Sequence, residues 1–394
     1  MQSPLRSHDR LPHPWRLRLR QGAGWLAIFS IIALVGGFFF AWSGLYSVAA
    51  TSGHWAGFRI LLEFGLHSSV RTHAAGIDVP DLSDPAMIER GAGHFRAACT
   101  PCHGGPGQRP SAIVLVTTPD APDLATHVPN WEPQELFWIV KHGIKYTGMP
   151  GWPTQQRDDE VWSIVAFLRV LPQLERPAYD ALTSLDPPSQ RLPDATLAQQ
   201  GPPGSAIAAC TRCHGADGQG RESGAFPRLD IQTEDYLFEQ LHAYADGSRA
   251  SGIMAPVVTE LDESEMRQLA AFYAAPGPSP DETIVPRAVV ENPGPGDLGR
   301  TLVMEGMPDQ QIPACVSCHG DNTSLRHPLY PALAGQHAAF MAQQLRLYRA
   351  GNRAGTPASD IMAEIARRMT DEQIDAAAAF LAMQPPLSLK PPVP

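Results

Sequence analysis

The chain has 394 residues, 30 Lys and Arg against 40 Asp and Glu, a net charge of −10, and 43% hydrophobic residues. An acidic balance of this size excludes a protein built around a basic nucleic-acid-binding face and suits partners with basic docking surfaces. The 39 prolines point to stiff connections between several folded parts.

Residues 1–24 form a basic tail, with Arg6, Arg10, Arg16, Arg18 and Arg20 against Asp9. Residues 25–46, WLAIFSIIALVGGFFFAWSGLY, carry no charge and are long enough to span a bilayer. Trp25, Trp42 and Tyr46 lie near its ends, where aromatic rings favour the interface. The positive-inside bias puts the tail in the cytoplasm and everything after the span across the membrane. A cleaved signal peptide ending at SVAA (47–50) is the rival reading. Its apolar core would be only about 7–15 residues, so an uncleaved single-pass anchor is favoured. Residues 47–84 follow as a juxtamembrane segment, in which Trp55, Phe58, Leu62 and Leu66 fall near helical spacing. His54, His67 and His73 share no tight i, i+4 spacing, so this stretch reads as a spacer or docking helix and not as a metal site.

All six cysteines fall in three copies of one pattern. CTPCH holds Cys99, Cys102 and His103; CTRCH holds Cys210, Cys213 and His214; CVSCH holds Cys315, Cys318 and His319. A zinc ribbon would need a second C-x-x-C within about 15–20 residues, and no such pair follows. A thioredoxin-like redox pair would not require an adjacent histidine each time. C-x-x-C-H is the attachment sequence of c-type haem, in which two thiols bond the porphyrin edge and the histidine ligates iron. Three copies that consume every cysteine imply three covalently bound haem c groups.

A low-spin haem takes a sixth ligand, and a methionine there raises the reduction potential. Each repeat ends in an apolar segment with an aromatic residue, Phe167, Phe272 or Phe380. Met149, Met254 and Met362 each lie 18 positions before it (167 − 149, 272 − 254, 380 − 362), whereas Met266 and Met369 break that spacing. Met149, Met254 and Met362 are therefore the expected distal ligands, with His127 and His142 as alternatives in the first repeat. Met266 and Met369 read as core fillers.

The first cysteines are 111 and 105 residues apart (210 − 99, 315 − 210), too long a period for a solenoid. The fold class expected is all-α, in three tandem domains over 85–175, 194–275 and 294–386. Asp84-Pro85 caps a helix leading into the first motif, EPQELFWIVKHG is a helix stopped by Gly143, and DDEVWSIVAFLRVLP is a third. The proline-rich stretches 171–194 and 276–297 are expected to be extended, exposed linkers. GPPGSAIAA before Cys210 implies a short or broken first helix in the second domain, and GDNTSLRH after His319 an atypical loop in the third.

The second and third domains align closely, YLFEQLHAYADGSR with FMAQQLRLYRAGNR and FPRL with YPAL. They resemble the two halves of the diheme cytochrome c-four family, and the first domain resembles a class I cytochrome c. The resemblance implies three class I cytochrome c domains behind a transmembrane helix in a bacterial inner membrane, with the haems in the periplasm. It implies a non-catalytic electron carrier passing electrons from a quinol-oxidising complex or dehydrogenase towards a terminal oxidase. An electron-transfer subunit of a periplasmic dehydrogenase is the alternative, and a haem peroxidase a more remote one. It further implies that carbonyls of Pro122, Pro227 and Pro331 hold the ligand histidines and that Arg249 and Arg353 face haem propionates.

Overall fold

The computed structural model describes residues 14–49, 51–183, 204–221, 223–274, 298–320, 327 and 329–386. It divides into two compact units, Met1–Ala56 and Gly57–Pro394. Among the described residues the only extended pairings are isolated bridges at Gly105–Gln108 and Met307–Ile312, so the fold is all-α. Helices longer than five residues are numbered below.

The first unit is dominated by α1 (Pro14–Trp42), long and apolar enough to cross a bilayer. Leu26, Phe29, Ile32, Leu34 and Phe38 are all exposed. The helix stops four residues before Tyr46, the expected end of the span. There the Ser43 hydroxyl donates to the Phe40 carbonyl at 2.7 Å and Gly44 turns the chain with φ +67°.

In the second unit, α2 (Ala56–Ala74) buries Val70 and Ala74. His67 on this helix stacks on Trp131 with ring centroids 4.3 Å apart, and His73 meets Trp138 at 5.4 Å. The three juxtamembrane histidines thus go separate ways, His54 pairing with Tyr46 instead.

Within the second unit three hydrophobic cores follow one another along the chain, and the helices around each are called the first, second and third domain. The first opens with α3 (Pro85–His94), capped by the Asp84 carboxylate on the Ala86 N–H at 2.9 Å, with proline at N1. Its continuation widens into a π-helical turn, Phe95–Cys99, that delivers the first motif. Helix α4 (Pro133–His142) carries a Glu132/Glu135 capping box and ends at Gly143 with φ +65°. Helix α5 (Asp158–Val170) begins with three acidic residues and buries nearly every side chain after them. It crosses α3 at Gly91, where a Cβ would overlap the Ser163 carbonyl and stand 2.8 Å from Phe167 Cβ. Glycine lets the two backbones touch, and Phe95 and Phe167 fill the space beside the crossing with centroids 5.0 Å apart.

The expectation of an extended linker from residue 171 fails for its first half. Residues Arg176–Thr183 form helix α6, and Tyr179 on it is 0% exposed, packed against Phe95 and Phe167. The proline content misled because Pro177 sits in the first turn of the helix, where no N–H is needed. The remainder of that stretch, and residues 276–297, lie outside the described residues.

The second domain comprises α7 (Gly204–His214), α8 (Glu234–Ala245) and α9 (Glu263–Ala274) around Leu237, Phe238, Met266, Ala270 and Tyr273. The third comprises α10 (Leu298–Met304), α11 (Ala338–Ala350), α12 (Pro357–Ala366) and α13 (Asp371–Met383). Gly299 on α10 meets the Ala376 carbonyl and Phe380 on α13, the same crossing as in the first domain. The entry helix of the second domain, expected to be short or broken, is α7, unbroken from Gly204 through His214. It is the third domain whose entry helix is interrupted, by a 3₁₀ turn with Gly306 and Gln311 at positive φ, before the short helix Val316–His319. Most of the GDNTSLRH loop lies outside the described residues.

Domains two and three join across a quasi-symmetric seam. The Gln232 amide donates to the Ala332 carbonyl (3.0 Å) and accepts from its N–H (2.9 Å). The Gln336 amide does the same for Arg228, at 3.0 and 2.9 Å.

Candidate haem-binding sites

Each motif histidine is oriented by a backbone carbonyl. His103 Nδ1 lies 2.9 Å from the Pro122 carbonyl, His214 Nδ1 3.3 Å from that of Pro227, and His319 Nδ1 2.9 Å from that of Pro331. A carbonyl only accepts, so Nδ1 carries the proton and the imidazole lone pair lies on Nε2, the nitrogen that a haem iron would take. Burial lowers the pKa of His214, which favours the neutral, ligating form.

The first cysteine of each motif sits against the apolar core of its own domain, Cys99, Cys210 and Cys315 in turn. Burial raises the Cys99 thiol to about 12 and those of Cys210, Cys213 and Cys315 to about 11. Thiols held protonated in apolar surroundings are poor thiolate ligands for a free metal ion. They suit carbon–sulfur bonds to a porphyrin edge instead. Cys102 is half-buried and Cys318 is exposed.

The methionines differ in burial. Met149 in the loop after α4, Met254 at the start of a five-residue helix and Met362 within α12 are each half-buried. Met266 and Met369 are 5% and 6% exposed and belong to the cores of their domains. The alternatives in the first domain are otherwise engaged. His127 bonds back to the Asp123 carbonyl at 2.8 Å, and the His142 ring packs on Trp138 at 5.2 Å.

Arg249 and Arg353 stand in the seam between domains two and three. Each guanidinium lies over a tyrosine ring, Arg249 over Tyr244 at 4.5 Å and Arg353 over Tyr348 at 4.6 Å. They bond Gln240 and Gln344 at 2.5 and 2.6 Å, and among the described residues neither pairs with a carboxylate. Burial and then the neighbouring Arg353 charge lower the pKa of Arg249. Two cations placed together in a seam without anions fit a pair of bound carboxylates such as haem propionates. The donor set, thiols, neutral imidazoles protonated at Nδ1 and guanidiniums together, therefore matches haem c.

Sequence reading missed several residues that build these sites. Gln232 and Gln336 repeat at the same offset as the rest of the alignment, a signal that was available. Trp152 and Glu160 had none, because Ser251 and Gly252, which they meet, lie in another domain.

Comparisons with known proteins agree with this geometry. Residues 86–168 match the family described as cytochrome C oxidase, cbb3-type, subunit III, and residues 203–274 and 297–384 match cytochrome c. A thiosulfate dehydrogenase electron acceptor of Thiomonas intermedia is 35% identical over 178 residues, 45% of this chain and 79% of the relative. A protein of the same description from Stutzerimonas stutzeri is 36% identical over 183 residues, 46% and 82% respectively. Cytochrome c4 of Pseudomonas aeruginosa is 31% identical over 175 residues, 44% and 83%. The chain belongs to the cytochrome c family of electron-transfer haem proteins and counts cytochrome c4 among its relatives.

Proposed function

We propose that the chain is a membrane-tethered triheme carrier, one haem in each of the domains 85–175, 194–275 and 294–386. The iron of each would be held by His103 and Met149, His214 and Met254, or His319 and Met362. The observation that carries this reading is the threefold recurrence of a C-x-x-C-H motif whose histidine is fixed at Nδ1 by a proline carbonyl. Bound haem supplies a one-electron redox centre whose potential depends on its axial ligands and burial. The protein's part is to orient the histidines, hold the thiols in apolar surroundings and bring guanidiniums to the seam. No side chain is asked to act as nucleophile or general acid.

The donor we favour is a periplasmic dehydrogenase acting on a sulfur compound. Two relatives above one-third identity are described as electron acceptors of thiosulfate dehydrogenase. Electrons would leave towards a terminal oxidase, the role suggested by the match of the first domain to an oxidase subunit family. A quinol-oxidising complex is the other donor of matching chemistry. Helix α1 would act as the tether in a bacterial inner membrane and raise the effective concentration of the haems at membrane partners.

Haem content per chain, visible spectra with and without carbon monoxide, and membrane fractionation test this together. Three low-spin haems per chain that ignore carbon monoxide, in a membrane-bound protein, are the expected result. Two haems, or a carbon-monoxide-binding fraction near one third, would sink the triheme carrier and point to an open, enzymatic site.

A further inference from the structure

Glu160 on α5 of the first domain is 3% exposed, and its bonds lead into the second domain. Its carboxylate accepts from Ser251 Oγ at 2.6 Å, from the Gly252 N–H at 2.6 Å and from Trp152 Nε1 at 3.1 Å. Arg157 pairs with it at 3.1 Å and also donates to the Ala250 carbonyl at 3.0 Å. The Ser251 hydroxyl, turned towards Glu160, accepts from the N–H groups of Met254 (2.9 Å) and Ile253 (3.2 Å). A continuous chain of bonds thus runs from a carboxylate of domain one to the backbone of Met254 in domain two. Contact at the same place is close: a Cβ on Gly252 would overlap the Trp152 indole, and Ile253 packs on the core of the first domain.

The third domain solves the same problem alone. Met362 sits inside the ten-residue helix α12, which starts five residues earlier with a Thr356/Ser359 capping box. Four additional residues before Met362, relative to Met254, supply that start. Met254 instead opens a five-residue helix whose N-cap residue, Ile253, offers no side-chain cap. The orphan N–H groups of a helix start need partners, and here Ser251, held by Glu160, provides them.

We propose that Glu160 is a positioning residue for Met254, acting through Ser251 across the domain boundary, so that methionine ligation in the second domain depends on the docked first domain. The inference rests on the reading of Met254 as a haem ligand. The first domain then stands in for the capping segment that the third domain carries in its own sequence.

The test uses the full haem-loaded chain. Glu160→Ala, Ser251→Ala and Glu160→Gln are compared by redox titration and by the sulfur-to-iron charge-transfer band, with Met254→His marking the wave of the second haem. Glu160→Ala and Ser251→Ala are each expected to lower the marked wave about tenfold in its equilibrium constant, about 59 mV for one electron. They should also weaken the charge-transfer band by up to about one third. Glu160→Gln, which keeps one acceptor oxygen, should recover part of both. Unchanged waves and band in both alanine variants, with the marker moving one wave, would overturn the positioning role and leave the ligand reading intact. A marker that moves no wave would instead remove Met254 as ligand, and the proposal with it.

Discussion

Gln232 and Gln336 stand 104 positions apart in sequence and make the same pair of bonds, each amide clasping both backbone groups of a residue in the other's domain. Both side chains are buried, at 8% and 3% exposed. Such an isologous exchange is how two similar domains satisfy a buried seam with a single residue type.

Replacing Gln232 with alanine leaves the buried N–H and C=O of Ala332 without partners, a cost of about 1–3 kcal/mol each, and replacing Gln336 does the same to the half-buried groups of Arg228. Both variants should therefore lower the denaturant midpoint of the haem-loaded chain, Gln232→Ala the more. Midpoints equal to wild type would mean that water enters the seam and restores the bonds.

Tyr179 ties α6 to the first domain. Its ring is enclosed by Phe95 and Phe167, and its hydroxyl meets Thr100 Oγ1 at 3.1 Å. Tyr179→Ala should cost about 3–5 kcal/mol, and Tyr179→Phe only the about 0.5–1.5 kcal/mol of one hydrogen bond. Chemical denaturation of the two variants separates packing from hydrogen bonding. Equal, small losses would show that α6 contributes nothing to the domain.

His94, packed on Trp152 with centroids 4.8 Å apart, has its pKa lowered by burial from 6.5 to about 4. Between those values the unfolded chain binds the proton and the folded one does not, so stability rises with pH through this window. The contribution is fully present above about 6.5 and is lost as pH falls towards about 4, with a ceiling of about 3 kcal/mol at 1.36 kcal/mol per unit. His94→Phe keeps the ring contact and should flatten the stability profile between those pH values. A profile as steep as wild type would place the acid sensitivity elsewhere.

Histidine in place of Met149, Met254 or Met362 should lower one reduction potential each, since a methionine ligand raises it. Leucine in place of Met266 or Met369 should leave all three potentials unchanged and cost less than about 1.5 kcal/mol, because these are core positions of similar volume. Spectroelectrochemical titration reads both outcomes. A potential that moves with Met266→Leu would reverse the assignment in the second domain.

Two of the aromatic residues from which the 18-residue spacing was counted have a visible structural role. In the first and third domains the aromatic residue at its end, Phe167 or Phe380, lies where the last helix crosses a glycine of the entry helix. Backbone contact at Gly91 and Gly299 ties the register of the last helix to the entry helix that leads to the motif. The helix starts at Asp84 and Glu132 and the stop at Gly143 were equally legible, because caps and stops act within one turn.

Local chemistry was thus determined by the sequence alone: three C-x-x-C-H motifs, their helical surroundings, an apolar N-terminal span and the recurrence of one domain. Short-range signals suffice for these, since a motif, a cap or a hydrophobic run is complete within a few residues. What only the tertiary structure decided is how the domains serve one another. Tyr179 returns from an apparent linker to close the first core, Gln232 and Gln336 stitch the second domain to the third, and Glu160 reaches the segment before Met254. In each case the partners are 79 to 108 residues apart, and a side chain's polarity carries no record of which distant backbone will satisfy it.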